Sequence, residues 1–456
     1  MCIRDRNNIF SEIVKDKSGN LWIAAFNEGL SMIDLNRPLI QNYSFPSIRE
    51  KTGFVTNIKN IYEDKDGDLW IDQNRWGVGI FTPKSNKLLF CTDIPSLKNI
   101  NNLKNISCIT SVSSIDEIWL GSEYYSEICR LKKNKDRIEF LGTLKLSDFV
   151  ENPGFPRFFY EDSKHNLWVV TTKKILVKPA DEKQLQDTNF PLMDITGIKE
   201  GKDGTLWIST RKQGVYNVIV SPGLTFEEKK IRNLTAQTDG LINDNIGAIC
   251  VDDSGLVWMG SQEGDVFTYD PQTKKVENLS NMFDMLEEGI YNIIMDQLGH
   301  IWISTNKRVV EYDPKNGGIM DYSTMGDVTV NSFMPNSYFK SSSGKILYGG
   351  NRGISVFTPY EHLSDEPRRI KTMVADVKID GTSSLLEKNN QRFNLRSQTI
   401  SLEAGDKNIE IDFSSLNYAF PDKIKYAYKM DGVDDDWVYV RGDRQFAFYN
   451  QLPKGK

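Results

Sequence analysis

Six side chains in short polar loops have the chemistry of a binding site for a polar ligand. They combine guanidinium groups, which form paired hydrogen bonds with carboxylates and sulfates, with aromatic rings on which a sugar can stack. The six are Arg75, Trp76, Tyr124, Arg211, Arg308 and Arg352. Together these residue types predict a ligand that carries hydroxyl groups and a carboxylate or sulfate. Each of them alone is also typical of a solvated loop tip.

Catalytic chemistry has few candidates in this chain. It has three histidines, His165, His300 and His362. The first two lie in predicted turns and the third in a polar segment, so they predict neither a Ser-His-Asp triad nor a metal site. The glycine-rich run 349–353 lies between two strands without a following helix, which argues against a phosphate cradle. We predict no catalytic residue, no cofactor and no metal ion, although paired carboxylates across loops leave a lyase or hydrolase open.

Asp64, Asp66 and Asp68 resemble the start of a calcium-binding loop. The glycine, Gly67, is the fourth residue of this loop instead of the sixth, and the twelfth is Arg75, so the EF-hand pattern fails. We interpret the segment as a hairpin turn in which glycine supplies a positive φ. The five cysteines form no CxxC pair and predict neither a disulfide framework nor a zinc site.

One motif recurs along most of the chain and organises it. An Asp/Gly turn is followed by Leu-Trp-Ile or a close variant, and the aromatic residues are 39 to 51 residues apart. Seven of the nine tryptophans occupy this position. The copies are Trp22, Trp70, Trp119, Trp168, Trp207, Trp258 and Trp302, with Tyr348 as an eighth copy that lacks the indole.

Each repeat predicts four short strands, which is the signature of a β-propeller blade. A four-stranded sheet has two apolar faces and buries them only against neighbouring sheets. A large flat side chain on the second strand fills the wedge between two such sheets. The pattern therefore predicts an all-β fold in which the repeated tryptophans are core residues and not a ligand platform.

The strand count predicts a seven-bladed propeller with a leftover blade. Residues 39–359 form the ring, in which Leu39 to Ser44 supplies the outer strand that the last repeat lacks. Residues 1–38 are then the last blade of a preceding, truncated propeller, and an eight-bladed ring is the rival interpretation. Residues 360–369 form a linker. Residues 370–456, with short strand-like runs and no Leu-Trp motif, predict an incomplete immunoglobulin-like β-sandwich.

The six candidate binding residues share a place in this scheme. They lie in the loops from the second to the third strand, which open on the face opposite the Asp/Gly hairpins. These loops differ from repeat to repeat, and variable loops on a rigid scaffold are where binding residues concentrate. A net charge of −6 without long basic runs argues against nucleic acid, and no run approaches the ~18 apolar residues of a membrane helix.

The repeats resemble the regulator-propeller repeats of hybrid two-component sensors of Bacteroidetes. The clearest copy is Asp203 to Thr210 followed by Gly214-Val215-Tyr216. The tail resembles the triple-tyrosine domain that follows such propellers. The matching segments are Tyr418-Ala419-Phe420-Pro421, Tyr426 to Gly432, Trp437 and Tyr449 to Gly455.

The resemblance implies a periplasmic sensor region that recognises oligosaccharides from glycan breakdown. It implies a signal to a histidine kinase, and a membrane helix, that both lie downstream of this chain, so the chain itself would not be an enzyme. We further expect a homodimer formed through the receptor and no nucleic-acid contact by this region. The alternatives are a protein–protein scaffold or a propeller-type polysaccharide lyase or hydrolase.

Overall fold

The fold comes from a computed structural model that describes most of the chain. The described residues are 10–16, 20–25, 29–33, 40–45, 57–73, 77–135, 137–182, 184–190, 194–283, 285, 288–315, 317–324, 328–330, 332–359, 372–384, 393–394, 399–403, 405–415, 425–441, 444–450 and 452. One compact unit is Pro38–Tyr360, and the other comprises Met1–Arg37 and Glu361–Lys456. Among these residues no helix is long and apolar enough to cross a membrane.

The unit Pro38–Tyr360 is a ring of seven four-stranded antiparallel sheets. The first four blades are blade 1 with β5 (Ile58–Glu63), β6 (Leu69–Gln73), β7 (Gly77–Thr82) and β8 (Lys87–Phe90), blade 2 with β9 (Ile106–Val112), β10 (Glu117–Ser122), β11 (Glu127–Asn134) and β12 (Arg137–Lys145), blade 3 with β13 (Pro156–Glu161), β14 (Leu167–Thr171), β15 (Ile175–Lys178) and β16 (Gln186–Asp187), and blade 4 with β17 (Ile195–Glu200), β18 (Leu206–Thr210), β19 (Val215–Val218) and β20 (Ile231–Leu234).

The last three blades follow in chain order, with one strand from the other end of the unit. They are blade 5 with β21 (Ile246–Val251), β22 (Val257–Ser261), β23 (Val266–Asp270) and β24 (Lys275–Asn278), blade 6 with β25 (Asn292–Met295), β26 (Ile301–Ser304), β27 (Val309–Asp313) and β28 (Gly318–Asp321), and blade 7 with β29 (Phe333–Lys340), β30 (Ile346–Gly350), β31 (Gly353–Phe357) and β4 (Ile40–Ser44).

The pairing of β4 with β31 closes the ring. Gly353 pairs with Ser44 and Phe357 with Ile40 in an antiparallel register. The predicted seven-bladed fold is therefore confirmed, with the N-terminal strand of the unit as the outer strand of its last blade. Two single-turn α-helices, α1 (Ala236–Asp239) and α2 (Ser280–Phe283), lie in connections between blades. Short 3-10 helices lie at Cys91–Asp93, Asn101–Lys104, Leu146–Asp148, Glu228–Lys230 and Tyr322–Thr324.

The repeated tryptophans fill the wedges between blades, as predicted. Trp70 of blade 1 packs against Ile118 and Leu120 of blade 2. Trp119 of blade 2 packs in turn against Leu167 and Val169 of blade 3. Each blade thus buries the face of its neighbour, and the flat indole fits between two sheets that diverge outward.

A hydrogen bond from each buried indole fixes the hairpin that precedes it. In blade 3 the Oδ2 atom of Asp162 accepts Trp168 Nε1 at 2.9 Å, and its Oδ1 accepts the backbone N–H groups of Lys164 and Asn166. Four other sheets repeat the indole bond at 2.8–2.9 Å, in the pairs Asp16–Trp22, Asp64–Trp70, Asp252–Trp258 and Asp296–Trp302. The first residue of the turn is therefore both a turn cap and the acceptor for the indole six residues later.

The eighth copy of the motif is shifted by one residue from its predicted alignment. The turn of blade 7 closes from Ser341 to Lys345 and pairs Phe339 with Leu347. Leu347 therefore occupies the tryptophan position and packs toward blade 1. The prediction that Tyr348 replaces the indole was wrong, because successive strand residues point to opposite faces. Tyr348 lies instead near Phe357 of its own blade.

The other unit contains two separate β structures. A three-stranded sheet comprises β1 (Phe10–Lys15), β2 (Leu21–Ala25) and β3 (Gly29–Ile33), which is the predicted leftover blade. The C-terminal strands are β32 (Met373–Ile379), β33 (Thr382–Ser383), β34 (Phe393–Asn394), β35 (Thr399–Ile400), β36 (Asn408–Ser414), β37 (Lys425–Tyr428), β38 (Val438–Arg441) and β39 (Phe446–Asn450). They form one four-stranded and two two-stranded sheets.

The C-terminal sheets pack face to face. Phe413 and Tyr449 from the four-stranded sheet contact Tyr426 and Val440 from the β37–β38 pair in a shared core. The hydroxyl of Tyr449 donates to Asp434 Oδ2 at 2.7 Å. This is the sandwich architecture that the spacing of the strands predicted.

The Asp–Trp bond gives a direct stability test. We expect Asp162→Ala to lower the free energy of unfolding by roughly 2–4 kcal/mol, because it leaves the buried indole N–H and two turn N–H groups without their acceptor. Asp203→Ala in blade 4 is the matched control, because the carboxylate of Asp203 bonds to Thr205 in the same turn and to no other residue of the described chain. Urea denaturation followed by tryptophan fluorescence measures both. Equal losses in the two variants would contradict the role of the indole bond.

Candidate functional site

The first strand of each blade lines a central channel. A cavity of about 390 Å³ lies in this channel and contacts residues from all seven blades. Six of the blades each contribute a polar or aromatic side chain to the lining. These side chains are Asn60, Thr110, Tyr160, Thr196, Asn292 and Tyr338. The first strands begin and the second strands end at the same mouth of the channel, while the Asp/Gly hairpins lie at the other end.

Charged side chains concentrate at this mouth beside blades 3 and 4. Arg157 is the second residue of β13, Asp194 precedes β17, and Arg211 follows β18. All three line the channel cavity, and they also line an adjoining cavity of about 530 Å³ with Lys212. We call this second cavity the mouth pocket. Its remaining contacts are Thr171, Thr172, Ile195 and Gln213.

The mouth pocket has an excess of positive charge. Arg211 Nε lies 3.8 Å from Asp194 Oδ2, and both side chains are about half exposed, at 52% and 56%. The backbone N–H of Arg211 donates to the carbonyl of Asp194 at 2.9 Å, which fixes this loop against the start of β17. Three cations, Arg157, Arg211 and Lys212, and one carboxylate, Asp194, therefore line this pocket, and the excess of positive charge attracts an anionic ligand.

The predicted binding residues have different surroundings. Arg211 lies in the mouth pocket. Tyr124 is exposed, and Arg352 is exposed with a positive φ of 72°. The guanidinium of Arg308 contacts Asp321 at 2.9 Å and the carbonyl of Phe283 at 3.3 Å, so it links the end of β28 to helix α2. Arg75 and Trp76 lie outside the described residues, and the six-residue site stays a prediction.

Two charged residues of the mouth pocket, Arg157 and Asp194, lie outside the loops between second and third strands that hold the predicted set. Arg157 lies in the first strand of blade 3. The alternating pattern of this strand predicts that its residues line the channel, but it does not predict that a charged one binds a ligand. Asp194 lies between repeats and belongs to no motif. A possible signal is that Arg157 interrupts the aromatic run Phe155 to Tyr160. Phe155 is itself 42% exposed beside Thr172, whose Oγ1 accepts its backbone N–H.

A buried carboxyl group lies just before the predicted loop of blade 1. Asp72, near the end of β6, is 2% exposed, and its Oδ1 atom has no hydrogen-bond partner among the described residues. Burial raises the pKa of Asp72 to about 7, although the nearby Lys59 opposes the shift. This carboxyl therefore changes charge near neutral pH, two residues before the Asn74–Trp76 loop.

The calcium-like turn of blade 1 already holds a cation from its neighbour. The ammonium of Lys133 in β11 lies 2.6 Å from Asp64, 3.1 Å from Asp66 and 2.6 Å from Asp68. Burial disfavours the charge of this lysine, but its hydrogen bonds to the three carboxylates outweigh that effect and raise its pKa. The turn is an ionic link between blades 1 and 2, in agreement with its interpretation as structural.

Asp296, His300 and Glu311 form an acidic cluster around a histidine in blade 6. One donor atom from each lies within 4.8 Å of the others. These atoms already have protein partners, since Asp296 accepts Trp302 Nε1, while Glu311 accepts His300 Nδ1 at 2.6 Å and the Tyr322 hydroxyl. The arrangement is an ion pair inside a hairpin and does not need a metal ion.

The described cysteines offer no nucleophile at the mouth. Cys91, Cys108, Cys129 and Cys250 are buried and form no disulfide. Cys108 lines the channel cavity, and burial raises its pKa to about 12, so it stays a thiol. His165 and His300 lie in hairpins at the opposite end of the blades.

Comparisons with known proteins match both parts of the chain. A family model described as the Y_Y_Y domain matches residues 417–456. Histidine kinase P4 of Formosa agariphila is 19% identical over 340 residues, which cover 59% of this chain and 24% of that protein. The chain thus spans about a quarter of this curated relative. These matches confirm the predicted resemblance to two-component sensors.

Solved structures show the same fold. Two extracellular domains of hybrid two-component systems from B. thetaiotaomicron align with TM-scores of 0.57 and 0.53, at 19% and 18% identity. They cover 98% and 100% of this chain, which covers 58% and 60% of theirs. Virginiamycin B lyase from Staphylococcus aureus aligns with a TM-score of 0.52 at 13% identity over 71% of this chain and 99% of that chain.

His300 predicts a pH-dependent contribution to stability. Its hydrogen bond to Glu311 raises its pKa above the ordinary 6.5, against the opposing effect of burial. A raised pKa means that the contribution is fully present below about pH 6.5 and is lost as the pH rises through the folded value. We therefore expect His300→Gln to cost more stability at pH 6 than at pH 8.5, by urea denaturation. A pH-independent difference between the two proteins would contradict this account.

Proposed function

We propose that this chain is the ligand-sensing region of a two-component receptor and that it binds an acidic oligosaccharide at the mouth pocket. The observation that carries the proposal is a pocket at the rim of a closed propeller that is lined by three cations and one carboxylate. The ring supplies a rigid frame, and the loops at its mouth supply the variable chemistry.

The geometry of the mouth pocket favours an extended polar ligand. The pocket adjoins the channel cavity, and Arg157, Asp194 and Arg211 line both, so these three residues can contact a ligand that extends from one cavity toward the other. Guanidinium groups bind carboxylates or sulfates through paired hydrogen bonds. Thr171 and Thr172 place hydroxyl groups beside them. Phe155 and Tyr124, both exposed, offer rings for stacking at the same mouth.

The proposed location and signalling role rest on the resemblance to sensor domains. We place the chain in the periplasm, as part of a receptor that dimerises and signals to a histidine kinase outside this chain. An enzyme has less support from the mouth pocket. Asp194 is the sole carboxylate among the described residues that line it, and no histidine or cysteine accompanies it. Acid–base cleavage of a sugar chain ordinarily uses two carboxyl groups.

The proposal predicts which arginines matter for binding. We expect Arg157→Ala and Arg211→Ala each to weaken binding of an acidic oligosaccharide about tenfold or more, because each removes a charge-assisted hydrogen bond. Arg137→Ala is the matched control, since Arg137 is an exposed arginine at the start of β12, near the opposite end of the blade. Isothermal titration calorimetry against uronate-containing, sulfated and neutral oligosaccharides measures all four proteins.

Two results would separate the alternatives. Wild-type affinity in both arginine variants would move the site away from the mouth pocket. Equal affinity for neutral and acidic oligosaccharides would reject the acidic class while keeping a carbohydrate sensor. Release of shorter products during the titration would favour the lyase or hydrolase.

A further inference from the structure

The indole of Trp207 differs from those of the other blades in its hydrogen bonding. Five sheets have aspartate six residues before the tryptophan, and blade 2 uses Glu117, which accepts Trp119 Nε1 at 2.9 Å. Blade 4 has Gly201 at the aspartate position. Trp207 is 5% exposed, and its Nε1 atom has no acceptor among the residues that the structure describes. The Trp207 indole N–H therefore lines a cavity as a donor without a protein partner.

The hairpin of blade 4 keeps its shape without the missing carboxylate. The N–H of Gly201 donates to the carbonyl of Thr205 at 2.7 Å, as the first residue does in the other turns. Asp203 caps the turn instead, and its Oδ1 accepts both the backbone N–H and the hydroxyl of Thr205. The turn has therefore replaced its cap, while the indole has lost its acceptor.

A cavity of about 610 Å³ lies between blades 4 and 5 at this point. Gly201 and Trp207 both line it, and a Cβ atom on Gly201 would lie 3.0 Å from Trp207 Nε1. Tyr269 from blade 5 also lines the cavity, with its ring centroid 5.9 Å from that of Trp207. Tyr269 is 1% exposed, and its hydroxyl lies near the Arg232 guanidinium without donating its own hydrogen to any described residue. The indole N–H and the tyrosine O–H are thus two donors on one cavity, and neither donates to a described acceptor.

The charged groups of the cavity leave the indole available to an anion. Asp203 bonds to Thr205, and Asp270 accepts the backbone N–H of Gln272 and the hydroxyl of Thr273. Asp203 Oδ1 would lie 2.9 Å from a Cβ atom on Gly201, on the same side as the indole, but among the described residues neither carboxylate accepts the indole N–H. Arg232 and Lys202 line the cavity as cations, Arg232 in an ion pair with Asp239. Lys202 extends toward Gly255 of the next blade.

We propose that this cavity binds a small carboxylate, whose oxygen accepts the Trp207 indole N–H. The ligand carboxylate then replaces the aspartate side chain that the other blades carry in their own sequence. The Tyr269 hydroxyl can donate to the same ligand, and Lys202 supplies a compensating charge. The cavity is at the hairpin end of the ring, so the proposal is independent of the mouth pocket.

The indole N–H resonance of Trp207 in a ¹H–¹⁵N spectrum reports directly on this bond. Trp207→Phe assigns the resonance, and sodium acetate is titrated against sodium chloride at equal ionic strength. We expect a saturable shift of the Trp207 resonance, with the aspartate-bonded indoles unchanged. Glucuronate in a parallel titration shows whether a sugar acid binds more tightly than a bare carboxylate. Arg211→Ala should retain the acetate shift, because Arg211 lines the channel cavity and the mouth pocket and does not line the cavity of Trp207.

Gly201→Asp is the matched test, because it restores the acceptor inside the protein. We expect this variant to lose the acetate shift and to slow hydrogen exchange of the Trp207 indole to the rate of the other blades. If the variant does not fold, the acetate-dependent rise in Tm must still disappear in Trp207→Phe. An unmoved Trp207 resonance in the wild type, or an acetate shift that survives in Gly201→Asp, would overturn the proposal.

Discussion

Each blade exposes two apolar faces, and the ring buries both of them for every blade only when it closes. Closure depends on β4, which pairs with β31 across most of the chain. The Ser355 hydroxyl donates to Asn42 Oδ1 at 2.7 Å between these two strands. The entropy cost of closing a loop grows only slowly with the length of the loop. Pairing two strands that are distant in sequence therefore costs little more entropy than pairing two nearby ones. Closure places blade 7 against blade 1, where Leu347 and Ile61 share one core.

The bonds within each hairpin make the blades similar enough to close into a ring. The aspartate that accepts the indole also caps the turn, so the position of the wedge side chain is tied to the geometry of the hairpin. Lys133 adds an ionic link between two blades where three aspartates meet. A buried lysine costs desolvation, and its three carboxylate partners compensate for that cost. The loops at the mouth are free of these constraints and can differ from blade to blade.

The fold was predictable from the sequence because its signals repeat. Seven tryptophans at one position revealed the blades, and Leu39 to Ser44 was the strand that the count lacked. The register of a degenerate copy was less predictable. In blade 7, Tyr348 comes one residue after the position that tryptophan occupies in the other blades. This one-residue shift is evident from the pairing of Phe339 with Leu347. The candidate site was predictable in part. Arg211 was found because it lies in a variable loop, and Arg157 was missed because it lies in a strand. Arg308 was predicted to bind a ligand, but its guanidinium forms an ion pair with Asp321.

A repeat protein contains its own comparison, because each blade shows what the others would do at the same position. Glu117 in blade 2 and Ser341 in blade 7 depart from the aspartate rule without leaving a wedge indole unpaired. Glu117 still accepts its indole, and blade 7 has leucine at the wedge. Blade 4 alone among the described blades keeps the tryptophan and loses the acceptor. Blade 4 thus lacks, at one place in the ring, the hydrogen bond that fixes the wedge indole in the blades that keep an acidic acceptor. A ligand that supplies the missing oxygen recovers it, which is why the departure from the repeat points to a site.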